Sequence, residues 1–240
     1  LPATKYKIWQ VANAVGQGAT QSLHVGVAGV AKGNSPDYPY VVSNELVCNQ
    51  LARAIILPTP PGFIIEHNSQ PYYVSLNFNL AGQDLPPADP VAVIQGSPDL
   101  ACGIILFDIW VVNEDRHREN IAYYEEANKV HIFDHSHAFF STIGPARLER
   151  HKNALGIVGH CLAPELTTFT GMKKWHERIL QIPEFYIRET IEAAVEVGLP
   201  ANSVGLCCDF LLERRQQLPH LLETHQAVFP KVKKQLWSEI

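Results

Sequence analysis

The sequence predicts an α+β protein of two lobes, a β-rich first third followed by a mainly helical remainder. Three observations carry this prediction. Short β-favouring segments bounded by turn residues crowd the chain before residue 80, whereas apolar residues at helical spacing dominate after residue 180. Between the two lies AGQDLPPADP (81–90), with the proline, glycine and alanine content of a connecting segment. The length, 240 residues with 46% hydrophobic and 18% charged side chains, suits one globular unit. The expected division is a single domain over 1–240, with an N-lobe to about residue 80, a linker at about 81–90 and a C-lobe from about 91.

In chain order, YKIWQVANAV, SLHVGVAGVA, GFIIEHN and PYYVSLNFNL read as strands. One helix interrupts them. Asn44 is placed to cap it, Leu46, Leu51 and Ile55 share roughly one face, and Pro58, Pro60 and Pro61 end it. Leu100–Trp110 reads as a buried helix, followed by the polar loop NEDRHREN and a hairpin of IAYYEE and KVHIFDHS turning at Ala127–Asn128. Ile182–Val197 is expected to be helical, with Pro183 at its start and Gly198 at its stop. A further helix covers about Ser203–Gln217, and a shorter one follows Pro219.

Composition narrows the function. A net charge of −5 predicts no basic face, so neither nucleic acid nor an anionic membrane is an expected partner. Cys48, Cys102, Cys161, Cys207 and Cys208 show no C-x-x-C spacing, which fits neither a disulfide framework nor a zinc site. The opening LPATKYKIWQ lacks a leader pattern, and the longest apolar run, Ile104–Val112, contains Asp108 and falls short of the ~20 residues a membrane span needs. A soluble cytoplasmic protein in a reducing compartment is the expectation.

The loop Asn113–Asn120 concentrates polar groups between two apolar stretches, and Asp134 ends the strand VHIF beyond it. Phosphoryl transfer needs a carboxylate to orient the acceptor hydroxyl, amide and carboxylate oxygens on Mg²⁺, and a cation on the phosphates. Protein kinases space the first two by five positions and take a second metal ligand from a strand end. Asp115 and Asn120 are five positions apart, and Asp134 stands at a strand end 19 positions after Asp115, returned by the hairpin. His131, His135 and His137 offer a competing zinc reading, a metal-dependent hydrolase that would also use Asp134.

Asn113-Glu114-Asp115-Arg116-His117-Arg118-Glu119-Asn120 resembles the N-x-D-x-H-x-x-N loop of HipA-like kinases, distant relatives of the phosphatidylinositol 3/4-kinases. Phe133-Asp134-His135-Ser136-His137-Ala138-Phe139 is similar to their metal-binding segment. Ala31-Lys32-Gly33-Asn34, Asn44-Glu45-Leu46-Val47 and Leu51–Pro58 resemble that family's KGN, NELV and LARALGLP stretches. Leu212–Leu218 is similar to its L-x-R-R-x-x-L helix, so the likeness runs from about residue 12 to 220.

This resemblance implies a protein-kinase-like two-lobe fold and ATP- and Mg²⁺-dependent transfer to a hydroxyl, foremost Ser or Thr of a protein. It implies Asp115 as the catalytic base and Asn120 and Asp134 on Mg²⁺. The backbone around Gly16 and Gly18 would cover the phosphates, with Lys32 and Glu45 in the cofactor site and Tyr73–Phe78 as the hinge against adenine. Thr20 and Ser22 lie where autophosphorylation would reach, and His117 is read as structural because Asp115 fills the proton-accepting role. The family's phosphate-binding lysine, counted back from Gly33-Asn34, falls on Val30; Lys32 shares that strand face about 6.6 Å further along. Two readings follow: an active kinase using Lys32, or a nucleotide-binding pseudokinase acting as an interaction module. A small-molecule or lipid kinase stays open as well, since fold does not fix substrate. Read from residue type alone, Glu45 suits a helix's first turn, Lys32 a solvated turn, and Arg214–Arg215 a solvated or salt-bridged helix face.

Overall fold

Alternating β-branched and aromatic residues build the N-terminal third. The computed structural model of the chain describes residues 8–14, 22–78, 87–233 and 236. Gly16, Gly18, Thr20 and most of the 81–90 stretch lie outside these residues. β1 (Ile8–Ala14) and β2 (Leu23–Val27) form an antiparallel pair with Val11 opposite Val25. β3 (Gly29–Gly33), β4 (Gly62–His67) and β5 (Gln70–Leu76) form a second sheet in the order β3-β5-β4. SLHVGVAGVA therefore yields two strands, not one. Gly29 makes the second possible, because a Cβ there would stand 2.6 Å from Val74 Cγ1 on the neighbouring strand. β5 runs through Leu76, so of the expected hinge only Asn77 and Phe78 leave the strand.

α1 (Val41–Ala54) starts three residues before the expected cap. Asn44 is buried inside the helix and caps nothing there. The capping oxygen comes from Asn34, whose Oδ1 accepts from Val42 N at 2.9 Å while its Nδ2 donates to Val197 O at 3.2 Å. The KGN asparagine thus joins a strand end, a helix start and the C-terminal half of the chain.

The C-terminal part is largely helical, as the sequence predicts. α2 (Pro90–Gly96) is capped by Asp89, and α3 (Pro98–Trp110) is buried from Ala101 to Trp110. β6 (Ile121–Tyr124) and β7 (Lys129–Ile132) form the expected hairpin, with Asn128 at φ 45° in its turn. α4 (Ala146–Arg150), α5 (Met172–Leu180), α6 (Glu184–Val195) and α7 (Val204–Thr224) complete the order. α7 passes through Pro219, where the sequence predicted a break. Proline removes the bond to the Arg215 carbonyl, and His176 Nε2 supplies a replacement donor at 2.7 Å.

One core unites these helices with α1: Val47, Cys48, Leu51, Ala52 and Ile55 pack with Ile105, Phe107, Ile187 and Leu211. α1 is therefore anchored to the C-terminal helices as well as to the sheet, which it meets through a small cluster of Val42, Leu46, Tyr73 and Val197. The five cysteines are unpaired. Among the described residues no single helix is long and apolar enough to cross a membrane.

Arg214 and Arg215 do not form a solvated face, being 1% and 7% exposed, and Arg215 instead meets the salt-bridged reading, its Nη2 3.6 Å from Glu184 Oε1. Arg214 donates to the carbonyls of Ile109, His151, Ala154 and Leu155 at 2.7–3.0 Å, and Arg215 Nη1 to Ile182 O at 2.7 Å. Burial and the nearby Arg147 lower the Arg214 pKa to about 9. Arg214→Met keeps the apolar stem but strands these carbonyls. It is expected to cost about 3–5 kcal/mol in urea unfolding, whereas a loss below about 1 kcal/mol would mean that water replaces the guanidinium.

Candidate active site

A carboxylate within the buried, apolar part of α3 organises the site. Asp108 on α3 is fully buried and meets Arg116 through two bonds, Oδ2 to Nε at 2.9 Å and Oδ1 to Nη2 at 3.1 Å. Asn113 Nδ2 donates to Oδ1 at 2.8 Å, and His160 Nε2 lies 3.1 Å from Oδ2. Burial opposes the charge on Asp108, but Arg116 and His160 outweigh it and hold the carboxyl far below the usual carboxylate range.

Arg116 carries this anchor outward. Its Nη1 donates to Asn120 O at 3.0 Å and to Phe133 O at 2.7 Å, and its Nη2 lies 2.9 Å from His135 Nε2. Arginine has no acceptor, so His135 Nε2 must accept and its proton sits on Nδ1. Burial, then the Arg116 charge, lowers the His135 pKa to about 3. The polar loop and the strand end are thereby fixed to one guanidinium.

Across the cleft, Lys32 Nζ lies 2.6 Å from both Glu45 Oε1 and Asp134 Oδ1. Glu45 Oε1 also accepts from Ser136 Oγ at 3.0 Å and His135 N at 3.2 Å. Glu45 lies beyond the helix's first turn and is buried, so it serves this network and not the helix dipole. Its neighbour Asn44 accepts from Phe140 N at 3.0 Å and donates to Ser136 O at 2.6 Å. Two adjacent α1 side chains therefore bind the segment after β7. Burial opposes charge on Lys32, but Glu45 and Asp134 together raise its pKa; burial likewise opposes charge on Asp134, and Lys32 prevails, holding its pKa at about 2.

The Lys32 geometry bears on the choice that Val30 leaves open, since Glu45 does have a lysine partner. Both residues do share a face, paired with Tyr73 and Ser75 across the sheet, but Val30 is 57% exposed and Lys32 alone reaches Glu45. The pseudokinase alternative loses the missing lysine on which it rested.

Asp115 and Asn120 are joined within the loop, Asn120 Nδ2 donating to Asp115 O at 2.8 Å. The Asp115 carboxylate is half-exposed, 3.8 Å from His117 Nε2, whose Nδ1 lies 2.7 Å from Glu119 Oε2. A cavity of about 420 Å³ opens between the sheet and the hairpin, lined by Val30, Lys32, Glu45, Phe78, Phe133 and Asp134. Phe78 packs on Phe133 at 5.3 Å and on His131 at 4.8 Å between ring centroids, which gives the cavity an aromatic floor.

The donor set fits a hard cation with a phosphate ligand. Asp134 is an ionised carboxylate on the cavity wall, and the bond from Asn120 Nδ2 turns the amide oxygen away from the Asp115 carbonyl. No group of three His, Cys, Asp or Glu among the described residues is arranged to hold a metal, which leaves the zinc hydrolase reading without a site. His135 in particular is committed to Arg116. The structure thus brings Lys32, Glu45 and Asp134 into contact and links Asp115 and Asn120 to them through Arg116. Gly16 and Gly18 are outside the described residues.

Sequence reasoning did not assign roles to Asp108, Arg116, Ser136 or His160, and it gave Asn44 a capping role in place of its contacts with Phe140 and Ser136. Asp108 did leave a signal, as the lone charge in the run Ile104–Val112.

Comparison with known proteins adds the following. A family model described as HipA-like kinase matches residues 26–155. Among solved structures the chain is similar to the Helicobacter pylori proinflammatory kinase CtkA, at 10% identity and TM-score 0.51, with 92% of this chain and 96% of that one covered. It is also similar to a chain of the Shewanella oneidensis MR-1 toxin–antitoxin complex of HipA, HipB and operator DNA. That match has 12% identity and TM-score 0.48 and covers 89% of this chain and 65% of the other. At such identities the likeness is one of fold. No curated protein gives a significant match.

Two outcomes test the geometry. Asp108→Asn leaves the Arg116 charge buried and uncompensated, so it should destabilise by about 3–5 kcal/mol in denaturant unfolding. His131 is 6% exposed, and burial, then Lys129, lowers its pKa to about 4. Below about pH 6.5 the unfolded chain takes up a proton that the folded chain refuses, so stability falls as pH drops toward 4. This residue contributes about 2 kcal/mol of loss between pH 7 and pH 5. His131→Phe, which keeps the stack on Phe78, should flatten the profile by that amount; an unchanged slope would refute a neutral His131.

Proposed function

The chain belongs to the HipA-like kinase family, and from that premise we propose that it transfers the γ-phosphoryl group of ATP to a hydroxyl, that of a Ser or Thr in a protein. The observation that carries this reading is the Lys32 bridge, 2.6 Å from Glu45 and from Asp134 at the wall of the cavity. An active site needs a cation that is held but can turn to phosphate, and this lysine is so held. The same bridge favours transfer over nucleotide binding alone.

In this reading Asp134 and Asn120 hold Mg²⁺ through oxygen, and Lys32 meets the phosphates from the strand. Bound Mg²⁺ supplies neutralisation of the charge that spreads over the transferring phosphoryl oxygens. Asp115 orients the acceptor hydroxyl and takes its proton as the oxygen bonds to phosphorus, while the bond from the γ-phosphorus to the bridging oxygen breaks. Its partial exposure suits a group that meets a second substrate arriving from solvent. Glu45 and Ser136 position Lys32, and Arg116 holds the Asp115 loop against the Asp134 strand end. Asn77–Phe78 meets the base.

The test is an ATP titration with and without Mg²⁺ on wild type, Asp134→Ala and Asp115→Asn, reading phosphate transfer in the same samples. Asp134→Ala should lose Mg²⁺-dependent binding and transfer together. Asp115→Asn should keep binding and lose transfer by at least about 100-fold. Full transfer in either variant would overturn the assignment.

A further inference from the structure

Two features that phosphotransfer leaves unused meet at the C-terminal end of α1. The helix closes in a Schellman motif, Ile56 N donating to Arg53 O at 3.0 Å and Leu57 N to Ala52 O at 2.9 Å. The motif holds Ile56 at φ 66°, a place that favours glycine and strains a β-branched side chain. That side chain is also 64% exposed, so packing within the chain offsets little of the strain. Beside it opens a cavity of about 390 Å³, with Ile55, Ile56, Arg178, Ile182, Pro183 and Tyr186 in its wall. This is not the cavity of Lys32 and Asp134, with which it shares no residue. Glu45, in the wall of that other cavity, lies about 15 Å back along the helix from Ile55.

Arg178 is the second feature. Its guanidinium carbon stands 4.4 Å from the centre of the Trp175 ring, and its Nη1 donates to Ile55 O at 3.4 Å. Trp175 is 3% exposed, so the arginine lies on a buried ring and is held in place. Capping the Ile55 carbonyl uses one of five guanidinium N–H groups. Among the described residues Arg116, Arg147 and Arg215 each meet a carboxylate, whereas Arg178 meets none. Its place in the last turn of α5 suits the helix dipole, but the dipole accounts for neither the strained Ile56 nor the cavity.

A ligand that uses both features needs an apolar chain and an anionic head. The chain would lie against Ile56, Pro183 and Tyr186, and the guanidinium fork matches the two oxygens of a carboxylate. An amine would meet Arg178 with like charge, and a bare phosphate would leave the apolar wall uncovered. The volume falls in the range of small-molecule sites, about 300–1,000 Å³.

We propose that this cavity binds a small amphipathic carboxylate, its apolar chain on Ile56 and its head group on Arg178. The inference is independent of the phosphotransfer reading, since it uses neither Lys32, Asp134 nor the nucleotide.

The test is isothermal titration calorimetry of the full chain with octanoate, octanol and acetate, on wild type, Arg178→Met and Ile56→Gly. Wild type should bind octanoate at least about tenfold more tightly than octanol, which keeps the chain, or acetate, which keeps the head group. Arg178→Met retains a stem to lie on Trp175 but no charge, and should bring octanoate down to the level of octanol. Ile56→Gly should raise the thermal midpoint, because glycine adopts this φ freely, and yet weaken octanoate about threefold or more. Circular dichroism should show all three folded alike. Equal affinity for octanoate and octanol in wild type, or octanoate binding that survives Arg178→Met, would mean apolar partition only and overturn the inference. No detectable octanoate binding overturns it too, as does binding left unchanged by Ile56→Gly. Each of these outcomes leaves the phosphotransfer reading where its own variants put it.

Discussion

The buried pair of Asp108 and Arg116 is the constraint on which the rest of the site depends. Two charges removed from water are costly, and such a pair survives only where the remaining hydrogen-bonding capacity is also met. Here all five guanidinium N–H groups have partners: two on Asp108 and one each on Asn120 O, Phe133 O and His135 Nε2. The planar fork sets these directions, so lysine could not make the same set. Three separate pieces of chain are therefore held in one arrangement: α3, the polar loop and the end of β7. Satisfying the charge and building the site are one event.

The second half of the site is set by where α1 packs. Its apolar face lies in the same core as α3, α6 and α7, and Asn44 and Glu45 bind the segment after β7 from that fixed position. Asp134 adopts φ 60°, a left-handed conformation that a non-glycine residue holds only where its surroundings compel it. The compulsion is visible: Lys32 on its Oδ1, Arg116 on the preceding carbonyl and Glu45 on the following N–H. Such a carboxylate is fixed in place by its surroundings, which is how a preorganised electrostatic site limits reorganisation.

Much of this was legible in the residues, but unevenly. The Asp115–Asn120 interval and the strand-end Asp134 could be read because a tight loop and a short hairpin translate sequence spacing directly into spatial position. Whether Lys32 could stand in at the family's lysine position, which falls on Val30, stays open in the sequence for the opposite reason. Period-2 alternation places Val30 and Lys32 on one face, and only the position of Glu45 across the cleft decides which of them meets it. Asn44 looked like a cap because it is an asparagine near a helix start, yet the cap comes from Asn34, drawn in by its contact with Val197. Pro219 looked like a stop because local rules cannot see His176 arriving from α5.

Local information alone determined most element types, the β-rich and helical halves, and the polar residues that were candidates for the site. These follow from side-chain periodicity, turn residues and short spacings, all of which act within about twenty positions. Tertiary structure decided which lysine pairs with Glu45, why Arg214 and Arg215 are inside, and that His160 meets Asp108. The arginine and Asp108 contacts join residues tens of positions apart, Asp108 and His160 being 52 apart, and the Lys32–Glu45 pair, though only 13 positions apart, shares Ser136, 104 positions from Lys32. A buried charge must find its partner wherever packing brings one, and no local pattern records where that will be.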